Sequence, residues 1–271
     1  MTGSDMQIGI VGLGAIGRVL VRKIHHGAIP NIVIAGICTR DRTKAQAFLK
    51  EIGCGAPLLD IGQLASVSDA VVECAPAAVF PEIAVPVLSA GKKFIALSAG
   101  QLLRHPELVA LAREHGGQII VPTGALIGFD AVSAAAEGDI HSVTMITRKP
   151  VNGLIGAPYL VGNGIDISNL AEPLCVFRGS AREAALGFPE NVNVAAALSL
   201  AGIGPDRTAI EIWADPNVTR NMHRVVVEAD SARFEMAIEN VPSENPKTGR
   251  ITALSVVAAL RKMGAPLRVG T

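Results

Sequence analysis

A glycine fingerprint close to the start of the chain is the first feature that could do chemistry. Its glycines, Gly12, Gly14 and Gly17, follow an apolar strand pattern and precede a helical pattern that opens with Ala15 and Ile16. In this context the first glycine allows a tight turn, the second lets the backbone approach a pyrophosphate, and the third lets the helix pack closely on the strand. The N–H groups of the helix N-terminus then face the anion. The pattern predicts that these five residues contact a dinucleotide; the alternative is an ordinary turn whose glycines serve packing alone.

Proton transfer near neutral pH is the second kind of chemistry that the residues allow, and histidine is the natural group for it. Five of the six histidines fall in patterns typical of helix surfaces or of a strand start. His223 differs, because it lies in a polar connection, residues 214–223, between two strand patterns. Loops held by a rigid sheet often bear catalytic groups. We expect His223 to be the catalytic residue; the alternative is a surface loop histidine.

An acidic substrate would need cations, and the chain offers Arg148, Lys149 and Lys247 in polar clusters of its C-terminal half. Charged side chains often only face water, which is the alternative for each. Asn193, near a predicted helix N-terminus, could offer its amide to a nicotinamide carboxamide or to a substrate carboxylate, and helix capping is the equal alternative. The four cysteines form no Cys-x-x-Cys pair, so neither a metal site nor a disulfide framework is expected.

The end of the second predicted strand bears on the choice of cofactor. An Asp or Glu that accepts the adenosine ribose hydroxyls is expected about 20 residues past the glycines in an NAD site. Here the strand over 31–38 is followed by Thr39 and Arg40. Arg40 could pair with a 2′-phosphate, which favours NADP or the use of both cofactors; a solvated residue is the alternative. Asp41 has the position of a helix cap.

Strand and helix patterns alternate through the first 123 residues, which predicts a Rossmann-type, doubly wound parallel sheet. Further strands are expected over 70–74, 94–97 and 118–121. Ligands bind beyond the carboxyl ends of such strands. We therefore expect Cys74 and Ala75 to lie at the dinucleotide.

Beyond residue 123 the apolar residues alternate with a period of two, as in 208–214 and 233–239. Such alternation is typical of strands with one wet face, so residues 124–249 are expected to form a second, α+β domain with a largely antiparallel sheet. A helix is expected over 251–263, and we expect residues 250–271 to return to the first domain. No internal repeat or low-complexity linker separates the two parts.

Composition and charge limit the function classes. The chain of 271 residues has 49% apolar and only 3% aromatic residues, and its 24 basic residues equal its 24 acidic ones. A neutral balance gives no electrostatic case for nucleic acid or an anionic membrane surface. Neither a signal peptide nor a membrane span is evident, and we expect a cytoplasmic protein. A homodimer is the default assembly.

Seven motifs occur in order along the chain. They are Gly-Leu-Gly-Ala-Ile-Gly at 12–17, Thr-Gly-Ala-Leu-Ile-Gly-Phe-Asp at 123–130, Arg-Lys-Pro at 148–150, Phe-Pro-Glu-Asn-Val-Asn-Val-Ala-Ala at 188–196, Ala-Asp-Pro at 214–216, Asn-Met-His at 221–223 and Asn-Pro-Lys-Thr at 245–248. Taken together, these motifs resemble the L-aspartate dehydrogenase family over nearly the whole chain. The resemblance implies that His223 is the active-site histidine and that Ala125 and Asn193 contact the dinucleotide near its nicotinamide. Residues 151–158 depart from the family, whose members often have an aromatic residue and Gly-Thr-Pro there. That loop could shape the substrate pocket.

The activity that the resemblance implies is oxidation of L-aspartate to iminosuccinate with NAD or NADP, or the reverse reductive amination of oxaloacetate by ammonia. His223 would assist loss of a proton from the α-amine, directly or through a water, and iminosuccinate could feed quinolinate and NAD synthesis. One alternative is a reductase of another imine or semialdehyde, similar to dihydrodipicolinate reductase or homoserine dehydrogenase. A non-catalytic NAD(P)-binding sensor is the alternative of another class.

Overall fold

Two units divide the chain, one comprising residues up to Pro122 together with 253–268, and the other comprising 123–252 with the last three residues. The computed structural model describes residues 5–189, 192–243 and 249–270. The part of the chain that it describes contains no helix that is long and apolar enough to cross a membrane. Within the same residues no cluster of His, Cys, Asp or Glu could hold a metal ion.

A five-stranded parallel sheet forms the first unit, in the order β2-β1-β3-β4-β5. Its strands are β1 (Met6–Val11), β2 (Ile32–Cys38), β3 (Ala70–Glu73), β4 (Lys93–Ala96) and β5 (Gln118–Ile120). The chain leaves β1 toward one edge and later returns to its other side, so the strand order reverses between β1 and β3. Dinucleotides bind at the carboxyl ends of the strands beside such a switch point. The predicted Rossmann-type sheet is confirmed.

Helices between the strands bury their apolar stripes against this sheet. They are α1 (Ala15–His25), α2 (Arg42–Glu51), α3 (Ile61–Val67), α4 (Phe80–Ser89), α5 (Gly100–Arg104) and α6 (Glu107–His115). The side chains of Leu20 and Ile24 from α1 share one apolar cluster with Ile8 and Ile10 from β1. Burying each such side chain contributes about 1.5–3 kcal/mol, which fixes the position of α1 against β1.

A mixed five-stranded sheet forms the second unit, in the order β10-β9-β6-β8-β7. Its strands are β6 (Ile140–Lys149), β7 (Leu174–Ser180), β8 (Thr208–Ala214), β9 (Asn221–Ala229) and β10 (Arg233–Asn240). Only the pair β6 and β8 is parallel, and the other three pairs are antiparallel. The helices of this unit are α7 (Phe129–Ala135), α8 (Pro158–Gly162), α9 (Ala181–Gly187) and α10 (Asn193–Ala201). The α+β architecture with a largely antiparallel sheet is confirmed.

The last helix, α11 (Arg250–Gly264), is amphipathic, and most of its length is grouped with the first unit. Val256, Val257 and Leu260 are buried in the same apolar cluster as Leu20 of α1. The Arg261 guanidinium donates to the carbonyl oxygen of Ala28 over 2.7 Å. Helix α11 therefore completes the apolar core of the first unit, to which β1 and α1 also contribute.

Candidate active site

The turn after β1 has the geometry that the glycine fingerprint predicts. Gly12 has φ of +94°, a conformation that L side chains rarely adopt, and its N–H donates to the Cys38 carbonyl oxygen over 2.8 Å. A Cβ on Gly12 would lie 2.5 Å from the Cys74 carbonyl oxygen. A Cβ on Gly17 would overlap the Gly12 carbonyl oxygen. Glycine is thus required at both positions for α1 to approach β1 and β3 so closely.

The N-terminus of α1 fits an anionic group. Gly14 is its N-cap and has no side-chain capping hydrogen bond, and the first turn contains no acidic residue. Gly14 is exposed, and a Cβ there would meet no atom within 4 Å. The orphan N–H groups of the first turn and the positive end of the helix dipole favour a phosphate at this place. Ala15 and Ile16 are half-buried at the start of the helix.

An exposed cation follows the end of β2. Arg40 lies two residues beyond Cys38, the last residue of the strand. Asp41 caps α2 as expected: its carboxylate accepts from the Lys44 N–H over 3.0 Å and pairs with the Lys44 ammonium at 3.2 Å. The Asp41 carboxylate is therefore engaged in the helix cap. Residues 38–40, at the end of the strand and before Asp41, include no Asp or Glu that could accept the ribose hydroxyls.

A buried carboxylate at the end of β3 was not predicted from the sequence. Glu73 is 1% exposed and accepts from the N–H groups of Leu97 and Ser98, at 3.1 and 2.9 Å, and from the Ser98 hydroxyl at 3.0 Å. Burial raises the pKa of Glu73 to about 7, against the opposing effect of these hydrogen bonds. Cys74 and Ala75 follow immediately, so Glu73 joins the carboxyl ends of β3 and β4 beside the two residues that we expect at the dinucleotide.

The second unit places His223 in a strand, which corrects the prediction of a loop. His223 is the third residue of β9 and is 5% exposed, and it pairs in register with Thr147 of β6. The Thr147 hydroxyl oxygen lies 3.1 Å from His223 Nδ1. Val225 and Val227 are buried on the same face of β9, so the period of two that marks the strand already includes His223. The polar residues before His223 have the composition of a loop, which led to the prediction that His223 lies in a loop as well.

Lys149 lies on the same buried face of the sheet. Alternate residues of β6 are buried, with Thr147 and Lys149 at its end. The pKa of His223 is lowered to about 3, mainly because the imidazole is buried and to a smaller extent because of the positive charge of Lys149. The imidazole is therefore neutral at physiological pH, beside a buried ammonium group that could hold a carboxylate.

Arg148 lies on the opposite face of the sheet, because neighbouring residues of a strand point to opposite sides. Its guanidinium pairs with the buried Asp215 carboxylate at 3.1 Å and stacks on the Trp213 ring at 5.0 Å. A groove of about 390 Å³ is lined by Arg148, Met222 and His223, among others. Lys149 lies on the buried face of the sheet with His223, whereas the Arg148 guanidinium pairs with Asp215 on the other face.

The remaining predicted residues lie at loops and helix starts. Ala125 is in the turn before α7, and its carbonyl oxygen accepts from the Asn240 side-chain amide over 3.0 Å. Asn193 is the first residue of α10, half-buried, while Val192 is the N-cap. Lys247 lies outside the described residues.

A parallel nucleotide-binding sheet joined to a unit with a buried His–Lys pair defines an NAD(P)-dependent oxidoreductase. Residues 12–122 match the family model described as homoserine dehydrogenase, NAD binding domain, and residues 130–263 match aspartate dehydrogenase, C-terminal. The chain is 56% identical to an L-aspartate dehydrogenase of Bradyrhizobium diazoefficiens, over 99% of this chain and 95% of that protein. It is 40% identical to the one of Methanocella arvoryzae, over 98% and 99% respectively.

The crystal structure of aspartate dehydrogenase from Thermotoga maritima is similar, with a TM-score of 0.75 and 25% identity over 98% of this chain and 99% of that one. The chain belongs to the L-aspartate dehydrogenase family. The predicted family is confirmed, and so is the NAD(P) cofactor.

Proposed function

We propose that this chain catalyses the NAD(P)-dependent oxidation of L-aspartate to iminosuccinate, and the reverse reductive amination of oxaloacetate by ammonia. The observation that carries the proposal is the buried pair of His223 and Lys149 on one face of the second sheet, in a chain whose relatives are named L-aspartate dehydrogenase. Aspartate has two carboxylates to be held and an α-amine to be oxidised. A buried cation beside a neutral imidazole suits both needs.

The dinucleotide is held by the first unit. The uncapped N-terminus of α1 binds its pyrophosphate, and the residues that follow β3, Cys74 and Ala75, border the switch point. When bound, the nicotinamide accepts a hydride from the substrate Cα or returns one to the imine. Arg40 contacts the adenosine ribose and favours a 2′-phosphate, because Asp41 is engaged in capping α2. We expect NADP to be used at least as well as NAD.

The substrate is held by the second unit. Lys149 binds one carboxylate of aspartate, and His223 contacts the substrate at the reacting end. The turn that contains Ala125 and the start of α10 at Asn193 contact the nicotinamide end of the dinucleotide. Lys247 is a further candidate cation for the second carboxylate. Residues 151–158, which follow β6 after Pro150, shape the pocket, and we expect them to set the preference for aspartate over other amino acids.

The α-amine has to be neutral before hydride leaves, since an ammonium nitrogen has no lone pair to form the imine. Holding the substrate so that its Cα–H bond is aligned for transfer is worth a large part of the rate enhancement. Replacing His223 with Ala should lower turnover by about 10²-fold or more and leave dinucleotide binding intact. Unchanged turnover would exclude His223 from the reaction.

The direct experiment supplies purified protein with oxaloacetate and ammonia, with NADH in one cuvette and NADPH in another, and follows loss of the absorbance of the reduced dinucleotide. Oxidation that requires both oxaloacetate and ammonia would support the proposal, and the ratio of the two rates would report the effect of Arg40. No oxidation by a protein that still binds the dinucleotide would favour the alternative, a reductase of another imine or of a semialdehyde. A screen of such substrates with NADPH would then identify it. A protein that binds the dinucleotide and turns over no substrate would be a sensor.

We also infer the setting of the reaction. Four cysteines without a disulfide among the described residues support a reducing compartment, the cytoplasm. A homodimer is the simplest symmetric assembly, and the half-buried outer face of the second sheet offers a surface for it. Iminosuccinate is unstable in water, so an enzyme that consumes it, as in quinolinate and NAD synthesis, would have to act soon after its release. Light scattering of the purified protein tests the assembly.

A further inference from the structure

We infer that Thr147 fixes the tautomer of His223, so that the imidazole presents an N–H donor at Nε2 to the substrate instead of a lone pair. This inference rests on the proposed function and changes the role of His223 within it. His223 then binds and orients an oxygen atom of the substrate, and it does not take the proton from the α-amine.

The geometry begins with two paired strands. Thr147 of β6 and His223 of β9 are register partners, and both side chains lie on the buried face of the sheet. The hydroxyl oxygen is 3.1 Å from Nδ1, which is hydrogen-bonding distance. Because both residues lie inside strands that are paired on both sides, the hydroxyl and the ring cannot drift apart as they could in a loop.

The direction of this hydrogen bond follows from the number of hydrogen-bond partners that the Thr147 hydroxyl has. Among the residues that the structure describes, the Thr147 hydroxyl has no hydrogen-bond partner other than His223 Nδ1. If Nδ1 carried the ring proton, the hydroxyl hydrogen would be buried without an acceptor. If the hydroxyl donates to Nδ1, both atoms are satisfied and the ring proton is on Nε2. An unsatisfied buried donor disfavours the first arrangement by about tenfold or more.

The charge state of the ring supports this assignment. Burial and the Lys149 ammonium hold the pKa of His223 at about 3, so the ring is neutral and has one N–H group at neutral pH. Lys149 is the charged group on the same buried face of β6. Within the described ranges His223 makes a side-chain hydrogen bond at Nδ1 and none at Nε2. Nε2 is therefore the ring atom that remains for a ligand.

An Nε2–H group suits an oxygen, either of a substrate carboxylate or of the hydroxyl that forms when water adds to the imine. The amine proton has to leave by another route, and water is the acceptor that the proposal names. Nε2 keeps its own proton throughout. The two histidine roles therefore differ in what they require: a donor needs only an N–H at the right place, whereas a base needs a lone pair that can be protonated.

The first test compares His223→Gln with His223→Asn. The glutamine amide nitrogen can reach the place of Nε2, whereas the asparagine amide reaches only the place of Nδ1, and neither amide can take up a proton at neutral pH. We expect His223→Gln to keep turnover within about tenfold of the wild type, and His223→Asn to lose about 10²-fold, like His223→Ala. Equal loss in all three variants would overturn the donor role.

The second test reads the tautomer itself and needs no turnover. In protein labelled with ¹⁵N-histidine, the two nitrogen shifts of His223 distinguish Nε2–H from Nδ1–H, and His223→Gln identifies its signals. We expect Nε2–H in the wild type, loss of this preference in Thr147→Val, and its return in Thr147→Ser. An Nδ1–H ring in the wild type would refute the inference even if aspartate is turned over. An Nε2–H ring in a protein inactive on aspartate would leave the inference standing and reject the proposed function.

Kinetics of the Thr147 pair complete the design. We expect Thr147→Val to lower kcat by about tenfold and to leave the KM for the dinucleotide unchanged, with Thr147→Ser close to the wild type. A purely structural role of the hydroxyl would instead lower thermal stability without moving the ring nitrogen shifts. Thr147→Ser retains the hydroxyl and loses only a methyl group, so it also serves as the control for packing.

Discussion

Glu73 and His223 should make the two units of this protein respond oppositely to pH. Burial raises the pKa of Glu73 from 4.5 to about 7, so the folded first unit keeps a proton that the unfolded chain releases above pH 4.5. Stability of that unit is full below about pH 4.5 and falls until about pH 7. The shift of about 2.5 units corresponds to a loss of about 3 kcal/mol in the free energy of unfolding.

His223 has the opposite sign. Its pKa falls from 6.5 to about 3 on folding, so the unfolded chain takes up a proton below pH 6.5 that the folded second unit refuses. The contribution of the neutral His223 ring to the free energy of unfolding is full above about pH 6.5 and is lost as the pH falls toward 3. Between about pH 4.5 and 6.5 each group changes the free energy of unfolding by about 1.4 kcal/mol per pH unit, in opposite directions.

The decisive variant is Glu73→Gln. Glutamine retains an oxygen to accept from the Leu97 and Ser98 N–H groups, and its amide can donate to the Ser98 hydroxyl, but it has no proton to lose. From about pH 5 to 6.5, the opening free energy of amides in β3 and β4 should fall by about 2 kcal/mol in the wild type and stay constant in the variant. Glu82→Gln, on the exposed surface of α4, is the matched control.

Hydrogen exchange with mass spectrometry, corrected for the intrinsic pH dependence of exchange, measures this opening for the first unit. Trp213, the sole tryptophan, lies in β8 and reports the second unit by fluorescence. Its unfolding midpoint in urea should rise over the same pH interval, in the wild type and in Glu73→Gln alike. This reasoning would be refuted if the opening free energy of the first unit still fell with pH in Glu73→Gln. It would also be refuted if Glu82→Gln removed this pH dependence.

Further outcomes follow from the packing of single residues. Gly17→Ala should raise the Kd for NADPH at least tenfold in a fluorescence titration, because its Cβ would overlap the turn of the fingerprint. Gly55→Ala, with open space around it, should leave the Kd unchanged. Equal Kd values for the two variants would reject the packing argument. Lys149→Met should raise the KM for aspartate by about 10²-fold in steady-state assays and leave the KM for the dinucleotide unchanged; an unchanged aspartate KM would remove Lys149 from the substrate site. Leu260→Ala should cost about 2–5 kcal/mol of first-unit stability by hydrogen exchange, while Leu254→Ala, 48% exposed, should cost little; similar losses would mean that α11 is not buried as described.

The sequence predicted those features that depend on local pattern. The glycine spacing identified the turn at Gly12, and the period of two identified the second sheet. It did not predict that Thr147 faces His223, because strand register is set by pairing between distant segments. Nor did it single out Glu73, since a glutamate at the end of an apolar strand is expected to face solvent, and only the sheet geometry buries it. Arg148 and Lys149 were expected to act alike, but strand alternation places them on opposite faces.

The return of α11 to the first unit has a consequence for how the protein is made. The apolar cluster that Leu20 and Ile10 begin is completed by Val256 and Leu260, which are synthesised after residues 123–252 of the second unit. A ribosome that has released only the first 122 residues presents a sheet whose helical cover is still incomplete. Folding of this unit should therefore finish only after the residues of α11 have left the ribosome, and until then the exposed apolar surface is a target for chaperones. A fragment that ends at Pro122 should accordingly aggregate, and adding a peptide of residues 250–268 should rescue it.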